Sequence, residues 1–434
     1  MGGAAVPDVR QAVRETVSGL PRAFWWLWTS TLINRLGAFV VTFLALYLTV
    51  ERGFSASYAG LVAALYGLGG SFGAVGGGVL ADRIGRRTTM LIAQLGAAVA
   101  TAALGFTDSA FTIAAVACVV GMTSNASRPA LQAMMADLVP AEDRVRAFSL
   151  NYWAINIGFG VSSAAAGLIA AEGYVWLFLG SAFMTVMCAL VIYAKVPETL
   201  PSTDSARETE KNDGTGTGLT DVLRDRRFMS LVGLTFLLGT VTQQGSTTLS
   251  VDMGQSGYSA KEYGLVIGLN GLIIVLLQIP VTRMMRGRSQ AGLLAAGTLL
   301  MGWGFGLTAF AGSVGFYALT VTVWTLGEIM HAPASMSAVA ELSPAQARGR
   351  YQGMFSLSWS AASFVGPLAG GFALDHWGSG VAWGSCAVVG TIAAVGYGTL
   401  LRTRSAPTPV PAAGSSPLAG RAEEQPVRRA GRQG

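Results

Sequence analysis

The stretch Gly78-Val79-Leu80-Ala81-Asp82-Arg83-Ile84-Gly85-Arg86-Arg87-Thr88 closes one long apolar segment and opens the next. One aspartate and three arginines in so short a run are too costly to place in hydrocarbon, so the run must lie at the aqueous face of a bilayer. It reads as a tight loop between two membrane spans.

Composition agrees: 52% of residues are hydrophobic, 12% are charged, and mean hydropathy is +0.50. That is far from a soluble domain. Crossing a bilayer takes about 20 apolar residues, and twelve such segments can be marked, at 23–50, 55–80, 87–107, 109–138, 147–171, 174–194, 228–251, 259–284, 289–311, 314–341, 349–374 and 380–401. The expected architecture is an all-α membrane protein of two six-helix bundles. Its parts are an N-terminal tail (1–22), a first bundle (23–196), a linker (197–227), a second bundle (228–401) and a C-terminal tail (402–434). Linker and tail are rich in Pro, Gly and charge without apolar periodicity, which predicts disorder.

Twelve spans put both termini on one side. Of the 29 Lys and Arg residues, all but Arg35, Arg52, Arg128 and Lys261 fall in the tails, the linker and the loops of one face. Cationic loops stay cytoplasmic, so that face is expected in the cytoplasm of a cell with the chain in its plasma membrane. The net charge of +6 therefore reports topology and predicts no nucleic-acid partner. Cys118, Cys188 and Cys386 lie in separate apolar segments, which suggests neither disulfide nor metal site. The first apolar stretch has no small-residue cleavage site, so it is expected to be retained.

The two halves repeat at a shift of 204 residues. Ala136-Asp137-Leu138-Val139-Pro140-Ala141 falls on Ala340-Glu341-Leu342-Ser343-Pro344-Ala345, Arg144 and Arg146 fall on Arg348 and Arg350, Pro129-Ala130 on Pro333-Ala334, and Gly60-Leu61-Val62 on Gly264-Leu265-Val266. A duplicated six-helix unit accounts for this common register. The second copy of the opening loop, around Arg283-Met284-Met285-Arg286, keeps positive charge but has no aspartate.

The pattern Gly-x-Leu-Ala-Asp-Arg-x-Gly-Arg-Arg after the second segment resembles the loop between helices 2 and 3 of the major facilitator superfamily. The resemblance covers nearly the whole chain outside the linker and tails. It implies a substrate site near the midplane between the halves, exposed alternately to each side by rocking. It also implies that Gly78, Asp82, Arg83, Gly85, Arg86, Arg87 and Asp137 form a conformational gate, with Asp82, Arg86 and Asp137 as a charge relay that latches the halves in the outward-facing state. Solvated surface ion pairs worth at most about 1 kcal/mol each are the plainer reading.

Four ionisable residues lie deep in predicted spans: Arg35 on segment 1, Arg128 on segment 4, and Glu328 and His331 on segment 10. In the family, helices 1, 4, 7 and 10 line the central cavity. At 1.5 Å per residue, Arg35 lies about 18 Å, Arg128 about 15 Å and Glu328 about 21 Å from the cytoplasmic ends of their segments. Intramembrane acids mark proton or substrate pathways. Burial and nearby cations act on a carboxyl group in opposite senses, which suits it to load and release a proton. Glu328 is the first candidate for proton coupling, the core holding no other acid, and a fixed ion pair with Arg35 or Arg128 is the alternative. The arginines could instead hold an anionic substrate group or bind backbone carbonyls, with the counter-charge role ranked first. His331, three residues beyond Glu328, is a relay candidate or a structural histidine.

Asn151, Tyr152, Trp153 and Asn156 on segment 5 resemble a Tyr-Trp-Ala-x-Asn stretch of some bacterial multidrug/proton antiporters, some of which carry Asp where Asn151 stands. These side chains could line a broad cavity or be plain interface aromatics. The Gly-x-x-x-Gly-Pro-x-x-Gly-Gly pattern that drug antiporters carry on helix 5 is altered here, to Gly158, Gly160, Ser162, Ser163, Ala166 and Gly167. A fuller version, Gly366-Pro367-Leu368-Ala369-Gly370-Gly371, occurs on segment 11.

The resulting expectation is a secondary transporter with no cofactor, driven by the proton gradient, exporting drug-like or secondary-metabolite molecules. Import of a small polar metabolite or nutrient is the alternative, and a transport-inactive sensor or scaffold a more distant one. No nucleotide-binding loop, metal cluster or catalytic constellation is present, so neither an enzyme nor an ATP-driven pump is expected. A monomer in the bilayer, with small-molecule substrate and protons as partners, is the default.

Overall fold

The computed structural model describes residues 18–199, 219–285, 287–344 and 347–402. The tail up to residue 17, residues 200–218 of the linker and the tail from residue 403 lie outside the described residues. Within them the chain is helical, without strands. Eight helices are long and apolar enough to cross a membrane.

Twelve spans emerge once the interruptions are read. Span 1 breaks into Arg22–Leu36 and Phe39–Leu46 and ends in a π-helical turn, Tyr47–Glu51. Spans 2 to 6 are Ala56–Ile84, Arg86–Leu104, Ala110–Leu138, Arg144–Ala171 and Tyr174–Lys195. After a short helix at Leu219–Arg224, span 7 is Arg226–Thr242 and Thr248–Gln255, joined through a 3₁₀ turn. Spans 8 to 10 are Ala260–Met285, Gln290–Gly306 and Val314–Leu342, and span 10 falls outside the eight because it is less apolar. Spans 11 and 12 share the helical run Arg348–Arg402, divided at Gly378, whose φ of 78° a side chain would disfavour.

The break in span 1 has a local cause. Ser181 Oγ donates to the Gly37 carbonyl, and a Cβ at Gly37 would run into the Met184 side chain of span 6. Removing one backbone acceptor from the helix and seating span 6 against it divides the span.

The halves meet along two seams toward the face opposite the basic loops. In the first, Gly160 and Gly167 of span 5 pack on Gly264, Gly268 and Gly271 of span 8; a Cβ on Gly271 would lie 2.7 Å from the Asn156 carbonyl oxygen. In the second, Gly60 and Gly67 of span 2 meet span 11. Pro367 has no N–H to bond the Ser363 carbonyl four residues back, and that carbonyl lies against Gly67. The helix-packing residues expected on segment 11 divide their work: Gly371 faces Ala56 and Gly60 of span 2, whereas Gly366 and Gly370 face Thr240, Gln243, Gln244 and Thr248 of span 7. Gln244 Nε2 ties spans 7 and 11 by donating to the Gly366 carbonyl at 2.9 Å. Tyr263 of span 8 donates to the Thr42 carbonyl of span 1 at 3.1 Å.

An acid unremarked in the sequence completes the second seam. Asp375, at the end of span 11, accepts from the backbone N–H groups of Ala56 at 3.0 Å and Ser57 at 2.6 Å, while Ser55 Oγ accepts from Tyr58 N at 3.1 Å. The exposed donors at the start of span 2 are thus capped in part by the other half of the protein. The Asp375 contacts join the two halves at this face. Replacing Asp375 with Ala should cost the closed arrangement on the order of 1 kcal/mol, and Gly271→Leu should cost more by forcing apart two backbones. Spin labels on the ends of spans 2 and 11 at this face should show longer distances in both variants; unchanged distributions would remove the seams as determinants of closure.

Candidate functional site

The 204-residue register seen in the sequence organises the polar groups of both halves. Glu328 stands on span 10 and accepts a hydrogen bond at 3.0 Å from Asn270 Nδ2 of span 8, which also donates to Thr325 Oγ1 at 3.0 Å. In the first half the same register places Tyr66 at the position of Asn270 and Ser124 at that of Glu328. Both positions are polar, as their counterparts are. The repeat therefore keeps polar residues at these two positions while exchanging their chemistry.

Glu328 lies near the seam between halves. Gly271, next to Asn270, packs on Asn156 of span 5, and Tyr152 is within electrostatic reach of the Glu328 carboxyl group. Asn156 Nδ2 donates to the Tyr152 carbonyl at 2.9 Å. Of the other residues expected on this span, Asn151 is buried with its Oδ1 unpartnered, and Trp153 is half-buried.

Three expectations need correction. Among the described residues Glu328 forms no ion pair with Arg35 or Arg128. The arginines belong to the first half and interact with each other as like charges, whereas the acid is held by a neutral amide of the second half. His331 does not continue from Glu328 as a relay: it is buried, its ring lies 5.5 Å from that of Tyr397 on span 12, and its Nε2 has no partner. Three residues turn a helix about 60° short of a full circle, enough to send one side chain to span 8 and the other into the bundle. Finally, Glu328 is not the only acid of the core. Asp252, one residue past the predicted end of segment 7, is buried and accepts from Tyr317 Oη at 2.9 Å.

The loop that opened the sequence analysis is built around Gly85, whose φ of 99° turns the chain between spans 2 and 3. Arg86 pairs with Asp137 of span 4. Asp82 and Arg83 are exposed. Arg87 donates to the Tyr193 carbonyl, with its guanidinium 5.3 Å from the Tyr193 ring centre. Gly78 makes only an ordinary contact with Pro129. The second half keeps the acid and replaces the arginine with an amide: Gln290 and Glu341, at the positions of Arg86 and Asp137, are bonded at 3.2 Å.

Glu198, just past span 6, was missed in the sequence, where Pro197-Glu198-Thr199 reads as the start of the linker. Its carboxylate accepts from the backbone N–H of Arg86 at 2.8 Å and of Arg87 at 3.2 Å, and reaches Thr88 N at 3.4 Å. It caps span 3, where the helix dipole favours an anion. Partial burial pushes this carboxyl group up, but the N–H donors of Arg87, Thr199, Arg86 and Thr88 outweigh it and hold it below its ordinary value.

Residues 27–355 and 330–431 match the Major Facilitator Superfamily. This chain belongs to that family. A Na(+), Li(+), K(+)/H(+) antiporter from Planococcus maritimus is 25% identical over 76% of this chain and 84% of its own length. The multidrug resistance protein MdtH of Aeromonas salmonicida is 27% identical over 87% of this chain and 93% of its own. Among solved structures, a POT family transporter in complex with 5-aminolevulinic acid superposes with a TM-score of 0.73 at 16% identity, covering 89% of this chain and 97% of that one. The likeness to that structure is one of fold. The chain is a multi-pass major facilitator transporter.

The capping of span 3 by Glu198 gives a signed pH prediction. A carboxyl group with a lowered folded pKa stabilises the fold above its unfolded value and loses that contribution as pH falls through the folded one. Wild type should therefore melt above Glu198→Gln at neutral pH, with the gap narrowing as pH falls below the ordinary 4.5. A gap independent of pH in thermal melts would mean that the carboxylate is not the stabilising form.

Proposed function

We propose that this major facilitator transporter exports drug-like or secondary-metabolite molecules in exchange for protons, by alternating access, with Glu328 as the proton-carrying group. The observation that carries the reading is the hydrogen bond from Asn270 to a Glu328 carboxyl group that has no cation for a partner among the described residues. In surroundings of low polarity such a group is neutralised by a proton or by a cationic ligand. One site can then hold either, which is the requirement for exchange. Asn270 can donate to the carboxylate or to the carbonyl oxygen of the neutral acid, so it supports both forms.

The basic loops favour a cytoplasmic position for their face, with the chain as a monomer in the plasma membrane. In that orientation the seams lie on the outer side, which favours reading this arrangement as inward-facing. The exposure of Asp82 is consistent with this, because the latch that the family loop supplies belongs to the outward-facing state. The relatives' names, a multidrug resistance protein and a cation/proton antiporter, favour export and proton exchange. Proton-coupled import of a small polar metabolite is the second reading, favoured by the opposite charges on the two halves, which suit a compact zwitterion.

Purified protein in liposomes, presented with lipophilic cations, antibiotics, sugars and amino acids, should release protons against substrate entry. Glu328→Gln should abolish this proton movement. Proton movement in the same direction as substrate would establish import, and substrate-driven proton flux that survives the substitution would remove Glu328 from the coupling mechanism.

A further inference from the structure

A groove of about 770 Å³ lies between spans 7 and 12 at the face of the basic loops, away from Glu328. Arg226 and Arg227 stand at its mouth, where span 7 begins, and Ser230, Gly233, Gly396 and Leu400 line its walls. From Arg226 to Gly233 the helix rises about 10 Å, so the groove runs from headgroup level into the hydrocarbon. Arg226 is exposed, and Arg227 Nη2 donates to the Leu400 carbonyl at 3.2 Å, which holds its guanidinium across the two spans. The neighbouring acid, Asp225, is engaged elsewhere: it accepts from the N–H groups of Arg227 at 3.1 Å and Phe228 at 3.0 Å and from Tyr351 Oη of span 11 at 3.1 Å. It already caps the start of span 7, so the basic pair and the groove, not the helix terminus, define the site.

The first half shows how such a place is closed when it is not used. Phe24 and Phe228, both buried, keep spans 1 and 7 in the 204-residue register. Gly173 and Gly378, the positive-φ glycines before spans 6 and 12, stand 205 apart, and the buried pairs Phe178 and Trp383, Ile192 and Tyr397 follow that register. Ser230 then answers to Trp26, Gly396 to Val191 and Leu400 to Lys195. In the first half Lys195 Nζ lies 5.4 Å from the centre of the Trp26 ring, so that the chain fills this place with its own side chains. In the second half the same place is lined by Ser and Gly, and a Cβ added at Gly233 would meet nothing within 4 Å.

The groove therefore offers cations at the membrane surface and small residues below them, the order in which a phospholipid presents its headgroup and chains. Guanidinium forks match phosphate oxygens, and basic pockets between membrane helices take anionic headgroups. We propose that this groove binds an anionic phospholipid of the adjoining leaflet, its phosphate held by Arg226 and Arg227 and one acyl chain lying along Ser230, Gly233 and Gly396. The site is separate from the proton-coupling role of Glu328 and stands whichever way substrate moves.

The test is a native mass spectrometry titration of the delipidated full chain with dioleoylphosphatidylglycerol and, as the zwitterionic match, dioleoylphosphatidylethanolamine. A basic residue near the surface is worth about fivefold in affinity for an anionic lipid. Arg226→Gln should therefore weaken binding of the phosphatidylglycerol about fivefold, and Arg226→Gln with Arg227→Gln should erase its preference over the phosphatidylethanolamine. Ser230→Trp, which keeps every arginine and restores the bulk found in the first half, should also weaken it at least about fivefold. Arg22→Gln, at the position of Arg226 where the groove is filled, should change nothing. Glycerol 3-phosphate should fail to displace the lipid. Equal binding of the two lipids by wild type, including binding of neither, overturns the site, as does a preference that survives the arginine substitutions. An unchanged affinity in Ser230→Trp removes the groove from the interaction, an equal loss in Arg22→Gln reduces it to general surface charge, and displacement by glycerol 3-phosphate assigns the arginines to a water-soluble phosphate; each contradicts the proposal.

Discussion

A charge that leaves water must be neutralised by a partner or a proton, and this constraint orders the interior of the protein. At the membrane faces the condition is met within the chain: Arg86 by Asp137, Arg52 by Asp108, and the bare N-termini of spans 2 and 3 by Asp375 and Glu198. At mid-depth it is not met. Glu328 has an amide for company, and Arg35 and Arg128 are in no ion pair among the described residues. The protein thus pairs charges at its faces and leaves these three at mid-depth without a partner of opposite charge among the described residues.

Duplication makes this division possible. Tyr66 and Ser124 in the first half answer to Asn270 and Glu328 in the second, and Arg86 and Asp137 answer to Gln290 and Glu341. Polar residues stand at each of these points in both halves, with different charge. One copy was free to become acidic at the centre and the other basic. Closure of the seams rests on a different feature, the small residues at Gly60, Gly160, Gly268 and Gly371, which let helices of opposite halves touch through their backbones. Close contact of this kind gains dispersion attraction but forms no strong polar bond along most of its length.

Much of the fold was legible because membrane spans write themselves as apolar runs. The loop at Asp82 to Arg87, the division into twelve segments and the 204-residue register all follow from local pattern. Span 10 was recognisable despite the lower hydropathy that Glu328 and His331 give it, because the run around them is apolar. Rotation about the helix axis was not legible. Three residues separate Glu328 from His331, yet one reaches span 8 and the other packs on Tyr397. Partners distant in sequence were equally hidden: nothing near Asp375 announces the start of span 2, and nothing in Pro197-Glu198-Thr199 announces the cap of span 3. Asn270 alone had a readable signal, since the repeat sets it opposite Tyr66, but the signal needs the known contact to acquire meaning.

The central claim is that Glu328 exists in both protonated and ionised forms in the working protein. Infrared difference spectroscopy on protein reconstituted in lipid tests this most directly, by following the carbonyl stretch of protonated carboxyl groups across pH with and without substrate. The account predicts a band that substrate diminishes and that is missing in Glu328→Gln. A spectrum that Glu328→Gln leaves unchanged throughout the pH range of transport would contradict it.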